Sequence, residues 1–600
     1  MNIPKITRTF AVALVLVLVA TGLWASPAAE DEPAATMERE MVLDPSTGEM
    51  VEAPRYGGTF THAERTGAET PDSWFSGGMA PTFFTSNVLE KLAVGNWAID
   101  REVHGWNTTS VPLSTLKGAL AESWSQPDPL TYVFNIRQGV HWHDKAPMNG
   151  RELTADDIVF NFHRYLGLGS GFTESSPRLG QLAAIPFESI AATDQWTVVM
   201  KLKEPKLFSL DIIVDQYSNW MYPPEVIKEH GDVRDWRNLV GTGPYELTDY
   251  VEGVSATFDK NPNYWGHDEK YPQNRLPYID QITGLIMPEE ATRLAALRAG
   301  TLDYVGTPGN TQLRTIDQVD SVRRTSPDLL VWEYPYRSDN SFGVNVQKKP
   351  FDDIRVRQAM QMALDLDTIY STYYQGYGST RPQGVYGEEL KGWTTPFEEW
   401  PEAVRKVYTH DPAGAEALLD AAGYPRGADG TRFQTVLTHN ERYDTTFAEL
   451  VAAQWGEVGV DVEVRVTPGP EFVAVRTEGI FEMISAELGG LPSPSVAGLG
   501  AYYTHTSWAH SNVSDPVYDA MYEAQQTAAT EEESQRLTRE GYLYALERHW
   551  SIWGGEVPQF NVSQPWVKGY NGEIWLGVGQ QDTFFSRIWI DTELKEAMGF

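Results

Sequence analysis

Apolar and polar positions trade two periods along this chain from about Tyr56 onward, and the alternation predicts a mixed α/β architecture. The run TYVFNIRQGV (131–140) is rich in β-branched and aromatic residues and ends at Gly139, so it reads as a strand reaching a turn. LTADDIVFNFHRYLG (153–167) then carries a helical period. Thr154 is placed to cap its start, Asp156 and Asp157 suit the positive end of the helix dipole, and Gly167 closes it. QWTVVMKLKEP alternates like a strand, and GTGPYELTDYVEGVSATFDKNPNYW reads as a turn followed by two antiparallel strands. PYIDQITGLIM predicts another strand, followed by a helix over PEEATRLAALRAGTLDYV with Leu294, Leu297 and Leu302 on its apolar side and Gly300 at its end. SFGVNVQKKPFDDIRVRQAMQMALDLDTI joins an extended segment to a helix starting near Asp352 or Asp353. In DPAGAEALLDAAGYP, Asp411 caps, Pro412 takes the first helical position and Gly423 stops the helix. RFQTVLTHN, AELVAAQWGEVGVDVEVRV and FEMISAEL continue the alternation.

Length changes the picture first, because 600 residues exceed one ordinary core and imply two or more lobes. A formal charge of −35 repels phosphate backbones and anionic lipid, so no nucleic-acid partner is expected. The chain has no cysteine, which excludes disulfides, thiolate metal sites, cysteine catalysis and a lipid anchored on an N-terminal cysteine. At the N-terminus, Lys5 and Arg8 precede an apolar run from Phe10 to Ala20 and small residues around Ala25 to Ala29. That order is read as an export signal over 1–25, the apolar run being short of the ~20 residues a spanning helix needs. Residues 26–55, rich in Ala, Pro and Glu, read as a flexible acidic linker.

Candidate chemistry is sparse. His141 and His143 flank Trp142 in HWHD (141–144), and on a continued strand the two imidazoles would share a face with Asp144 nearby. A zinc site needs further ligands, and His62, His104, His439, His505 and His510 are scattered singly. The competing reading has Trp142 packing inward, Asp144 closing a turn and His143 bonding locally. We expect the turn, with no metal and no cofactor. His163, inside the predicted helix, is expected to be satisfied within the fold. STLK at 114–117 and SDN at 338–340 match two elements of the penicillin-binding set, but no K-T-G follows, so an exported serine hydrolase using Ser114 and Lys117 is the lesser alternative.

LAESWSQPDPLTYVFNIRQGVHWHDKAPMNGRELTADDIVFNFHR, VGTGPYELTDY, NPNYWG, LPYIDQI, RLAALRAGTLDYV, NVQKKPFDDIRVRQAMQMALD and AGAEALLDAAGYP, taken in order, resemble the extracellular solute-binding proteins of the peptide, nickel and oligopeptide class. The chain departs from that pattern at Lys145, where those proteins usually have glycine, and at an inserted NGRE before LTADD. The resemblance implies a two-lobed, hinge-closing periplasmic-binding fold of type II, with an extra subdomain at about 100–240 inside a first lobe of 56–336. It places a second lobe at 337–562 and a return to the first lobe at 563–600. The implied role is a non-enzymatic, monomeric, extracytoplasmic carrier that delivers its ligand to an ABC permease, with ligand held at the lobe interface.

Peptide is the first expectation for the ligand and oligosaccharide or another non-peptide solute the second. In VRTEGIFEMISAELGGLPSPSVAGL, the resemblance sets Arg476 at a carboxylate-receiving position. Leu488 and Leu491 fall where a tryptophan and an amine-holding aspartate are usual, and Glu487 is a neighbouring substitute. A leucine cannot hold an ammonium, and a buried unpaired amine would cost several kcal/mol. Placement along the chain adds Trp74, Phe75, Tyr217, Trp220, Asn340 and Trp508 as ligand-contact candidates. Gly241, Thr242, Gly243 and Pro244 are expected to serve a turn.

Overall fold

A computed structural model describes residues 39–600 except 68–69, 76–81, 109–110, 218, 308, 337–340, 383–385, 387–389, 487–497, 505–510 and 581. Two mixed sheets organise these residues. The larger has seven strands in the order Tyr245–Val251, Ser255–Lys260, Gln281–Ile286, Thr59–Glu64, Tyr304–Val305, Val557–Ser563 and Leu330–Tyr336. Its central strands, Gln281–Ile286, Thr59–Glu64 and Tyr304–Val305, run parallel. The smaller has five strands in the order Val460–Thr467, Phe433–Asn440, Met483–Ala486, Ser341–Val344 and Ser551–Trp553, the first three parallel.

The chain passes between the sheets twice, and the strands flanking the two passages are paired. Leu330–Tyr336 pairs with Val557–Ser563 in the larger sheet, while Ser341–Val344 pairs with Ser551–Trp553 in the smaller. The return to the first lobe thus precedes position 563, because Val557–Ser563, buried along its whole length, pairs in the larger sheet between Tyr304–Val305 and Leu330–Tyr336. One apolar cluster spans the seam, joining Ala63, Val305 and Phe560 to Phe342, Val344 and Tyr370.

Inserted in the first lobe is a four-stranded antiparallel sheet, in the order Ala121–Asp128, Thr131–Ile136, Thr197–Leu202, Phe187–Asp194, with the helix Ala155–Leu166 packed on it. That helix starts where the polar pattern placed it. The Thr154 and Asp157 side chains form a reciprocal capping box, and Gly167 ends it with a left-handed φ of 67°. His163 is bonded through Nδ1 to Ser170 and through Nε2 to the Ile190 carbonyl. Asp353 and Asp411 likewise cap Ile354–Met362 and Pro412–Ala421.

Within the stretch expected to be a flexible acidic linker, Met41–Leu43 and Met50–Glu52 form a hairpin. Arg39 and Arg55 both reach Asp591 at 2.9 Å, and Asp44 pairs with buried Lys270 at 2.8 Å, so distant partners hold this segment.

HWHD is a structural clasp. His143 is 2% exposed; the Gly241 N–H donates to its Nδ1 at 3.2 Å, and its Nε2 donates to the Gly243 carbonyl at 3.0 Å. The expected local bond is thus replaced by one reaching a loop about a hundred residues away. Burial, only partly opposed by the Gly243 bond, pushes this imidazole down to about 4. Trp142 packs inward as a neutral donor to Asp157. Gly241 is required because a Cβ there would sit 1.7 Å from the Val88 carbonyl oxygen. Among the described residues no group of three or more His, Cys, Asp and Glu is arranged to hold a metal.

Candidate ligand-binding cleft

Parallel strands aim their carboxyl ends to one edge, and in open α/β sheets that edge is where ligands are held. In the smaller sheet the edge is formed by Asn440, Thr467 and Ala486. There His439 Nδ1 meets Ser485 Oγ at 2.6 Å, and burial lowers the ring to about 4, so it is neutral at physiological pH. Among the described residues its Nε2 meets no partner. The turn that follows is set by Asn440, whose side-chain oxygen accepts the Arg442 N–H. It lays the Arg442 guanidinium 4.8 Å over the Tyr443 ring, with an Nη2 bond of 2.7 Å to the phenol oxygen. Arg476 projects from the helix Gly469–Glu478. Its pKa is lowered chiefly by burial, with the nearby Arg442 charge adding to the effect against the Tyr443 phenol. Two guanidiniums around one phenol make a rim suited to a carboxylate.

In the first lobe, the loop that carries Trp74 and Phe75 is pinned from beneath. Asp72 accepts from Arg164 at 2.6 Å in a buried ion pair. The Ser73 N–H donates to Tyr222 Oη at 2.9 Å, its hydroxyl lies 2.7 Å from Tyr165 Oη, and Tyr222 donates to the Pro71 carbonyl. This network fixes Trp74 and Phe75 as an edge-to-face pair 4.8 Å apart. Phe75 is 37% exposed with Arg234 4.6 Å over its ring, which gives the loop an aromatic and cationic outer face.

The candidates chosen from the sequence separate accordingly. Trp74 and Phe75 are brought together in the first lobe, and Arg476 stands near Arg442 and Tyr443 in the second. Tyr217 is half-buried against Trp575, 6.1 Å away, in the first-lobe core margin. Trp220 is corrected to a core residue: it is 1% exposed, lies under Lys91 Nζ at 4.6 Å, and turns no ring face to the cleft. Asn340, Glu487, Leu488, Leu491 and Trp508 lie outside the described residues, as does SDN. Sequence reasoning missed Arg442, Tyr443 and the Asp72–Arg164 pair. The signal for the first two was positional, since they directly follow a parallel strand at its carboxyl end. Ser114 is exposed, and Lys117 is bound to Glu269 at 2.7 Å, which leaves the hydrolase reading without its base.

The family model for bacterial extracellular solute-binding proteins, family 5, matches residues 115–510. The chain is 28% identical over 381 residues to the dipeptide-binding protein of Escherichia coli, covering 61% of this chain and 66% of that protein. It is 29% identical over 357 residues to heme-binding protein A of Haemophilus influenzae, covering 58% and 61% respectively. Each alignment thus spans slightly less than two thirds of the relative. Among solved structures, the periplasmic binding protein DppA of Helicobacter pylori, in complex with the peptide STSA, superposes with a TM-score of 0.67 at 19% identity, covering 90% of this chain and 99% of that one. That likeness extends the two-lobed fold over nearly the whole chain. Matched across its middle by sequence and along most of its length by fold, the chain belongs to the bacterial extracellular solute-binding proteins, family 5.

Proposed function

We infer that this protein is the extracytoplasmic binding component of an ABC importer and that it holds a peptide or peptide-sized solute between its two lobes for a membrane permease. It acts as a monomer and without catalysis. The first lobe comprises 56–336 with the chain from Val557 onward, and the second lobe lies between. The observation that carries the reading is the strand pairing on either side of the two passages between the sheets, Leu330–Tyr336 with Val557–Ser563 and Ser341–Val344 with Ser551–Trp553, which supports two α/β lobes able to pivot on one another. The Arg442–Tyr443–Arg476 rim supplies charge for a peptide carboxylate. The Escherichia coli relative named for a dipeptide and the Helicobacter pylori structure that holds the peptide STSA support the same ligand class. The pairing of half-buried Trp74 with exposed Phe75 favours an oligosaccharide as the second reading, because sugar rings stack on aromatic faces.

A thermal-shift screen of the purified protein against peptide and oligosaccharide libraries tests the assignment. A ligand at a hundredfold excess over its Kd stabilises the folded state by ~2.7 kcal/mol. Peptides should raise the melting temperature, and Arg476→Gln should weaken the best of them by roughly tenfold, the size of one lost charge-assisted bond. A shift by sugars alone would replace the peptide reading with the second one. No shift with either class would overturn both.

A further inference from the structure

Lys117, released from the hydrolase reading, lines a cavity of about 260 Å³ in the first lobe. Its position is remote from the cleft. The loop 264–269 that walls it follows the Lys260 end of Ser255–Lys260, and that end lies beside Gln281 and Thr59, where the parallel strands begin. Their carboxyl ends, Ile286 and Glu64, form the opposite edge.

The charge of this cavity runs against that of the protein. In a chain of net charge −35, Lys117, Arg137 and Arg587 all line this cavity, and Lys117 and Arg587 share one carboxylate, Glu269. Lys117 Nζ lies 2.7 Å from Glu269 Oε1, and Arg587 grips both oxygens at 2.6 and 2.9 Å. Arg137 stacks 4.7 Å over Trp265 and spends its Nε on the Ala119 carbonyl; its nearest carboxylate, Glu122, is 3.8 Å away and mostly in solvent. Lys91 is compensated separately by Asp215 at 3.1 Å. Glu90, the other acid in the wall, accepts from Tyr264 Oη and Trp265 Nε1, both at 3.0 Å, and burial raises its pKa. Burial lowers the pKa of Lys117, and the neighbouring Arg587 and Arg137 charges add to this against the pull of Glu269, a sign that cations crowd here. Two hydroxyls complete the set. Ser86 Oγ, on a side chain 2% exposed, and Thr583 Oγ1 have no hydrogen-bond partner among the described residues, and both line the cavity.

We propose that this cavity is a second ligand site, distinct from the interlobe cleft, that binds a small oxyanion through Lys117, Arg137 and Arg587 with the Ser86 and Thr583 hydroxyls as donors. Surplus cations and unpartnered hydroxyls in a recess are what a carboxylate or phosphate needs, and an anion would relieve the mutual repulsion of the three cations. At ~30 Å³ per water, the volume has room for roughly eight waters, enough for phosphate or a di- or tricarboxylate.

The test is calorimetric titration of the intact protein with inorganic phosphate and, separately, with citrate. It is repeated on Lys117→Gln and Ser86→Ala, each checked for folding by circular dichroism. Saturable binding of at least one anion is expected, weakened by salt and by roughly tenfold in Lys117→Gln. The anion that binds identifies the class. Ser86→Ala should weaken binding less, and neither variant should alter the affinity of a ligand held in the cleft, so this result is independent of the transport assignment. No binding of either anion, or equal binding by wild type and both variants, would overturn the site.

Discussion

Replacing His143 by alanine removes both halves of the clasp on the Gly241–Gly243 loop, and its cost can be worked from two bonds and one pKa. At pH 7 the neutral ring accepts at Nδ1 and donates at Nε2, so truncation strands the buried Gly241 N–H and leaves the Gly243 carbonyl with the Asn261 amide as its donor. The stranded N–H costs ~1–3 kcal/mol, and the second lost bond and the void add to it, so a loss of about 4 kcal/mol is expected. The pH dependence separates this from ordinary packing. The folded pKa is depressed from 6.5 to about 4, so this group's stabilisation is present above pH 6.5 and is lost as pH falls toward 4. At 1.36 kcal/mol per unit, wild type forfeits roughly 3 kcal/mol over that interval on account of His143 alone, whereas the alanine variant has no such proton to take up. Urea unfolding of both proteins at pH 7 and pH 4.5 should therefore show the gap between them narrowing markedly in acid, with His143→Gln between the two at neutral pH. A gap of constant size at both pH values would refute the neutral, doubly bonded imidazole.

Asp582 predicts the opposite slope: burial raises its carboxyl well above the usual carboxylate range, as it does that of Glu64, whose acid the Asp582 charge raises further, so this stabilisation is complete below pH 4 and is lost as pH rises through the raised values. Asp582→Asn, which imitates the protonated acid, should shallow that slope and gain at least ~1.4 kcal/mol over wild type at the alkaline end, the worth of one pKa unit; an unchanged pH slope would exclude this. Asp72→Ala leaves Arg164 buried and unpaired and should cost ~3–5 kcal/mol, much of it recovered in the double variant with Arg164→Met, as chemical denaturation would measure. If the single variant matches wild type, Asp72 does not anchor the Trp74–Phe75 loop.

Signals confined to one turn of chain were legible in the sequence. Thr154 with Asp157, Asp411 with Pro412, and Gly167 act over three or four residues, so local chemistry alone placed those helix ends. The strand order was not legible, since Thr59–Glu64 sits between Gln281–Ile286 and Tyr304–Val305, more than two hundred residues on. The same distance hid the partner of His143 and the ion pairs from Asp591 and Lys270 that order the acidic hairpin. Trp220 was misplaced for a related reason. An aromatic in a loop-like stretch can cover a ligand or a core, and only the three-dimensional position of Lys91 decides between them.

The seam between the lobes also bears on which residues can set specificity. Because Ala63, Val305 and Phe560 pack continuously with Phe342, Val344 and Tyr370, a closing motion that opened the seam would expose apolar surface at ~25 cal/mol per Å². A rotation about the paired crossings leaves that cluster buried, so it is the motion the packing permits. Near the axis, Thr307, Tyr334, Gln559 and Asn561 are already bonded to one another: Asn561 Oδ1 accepts the Thr307 N–H at 2.9 Å, and Tyr334 Oη donates to Gln559 at 2.9 Å. Groups so engaged have little bonding capacity left to offer a solute. Displacement grows with distance from the axis. On the proposed reading, Trp74 with Phe75 on one lobe and Arg442 with Arg476 on the other meet the ligand away from the hinge, and a ligand shifts the open-to-closed equilibrium only by its difference in affinity for the two states, so on that reading discrimination among solutes falls to these groups rather than to the hinge.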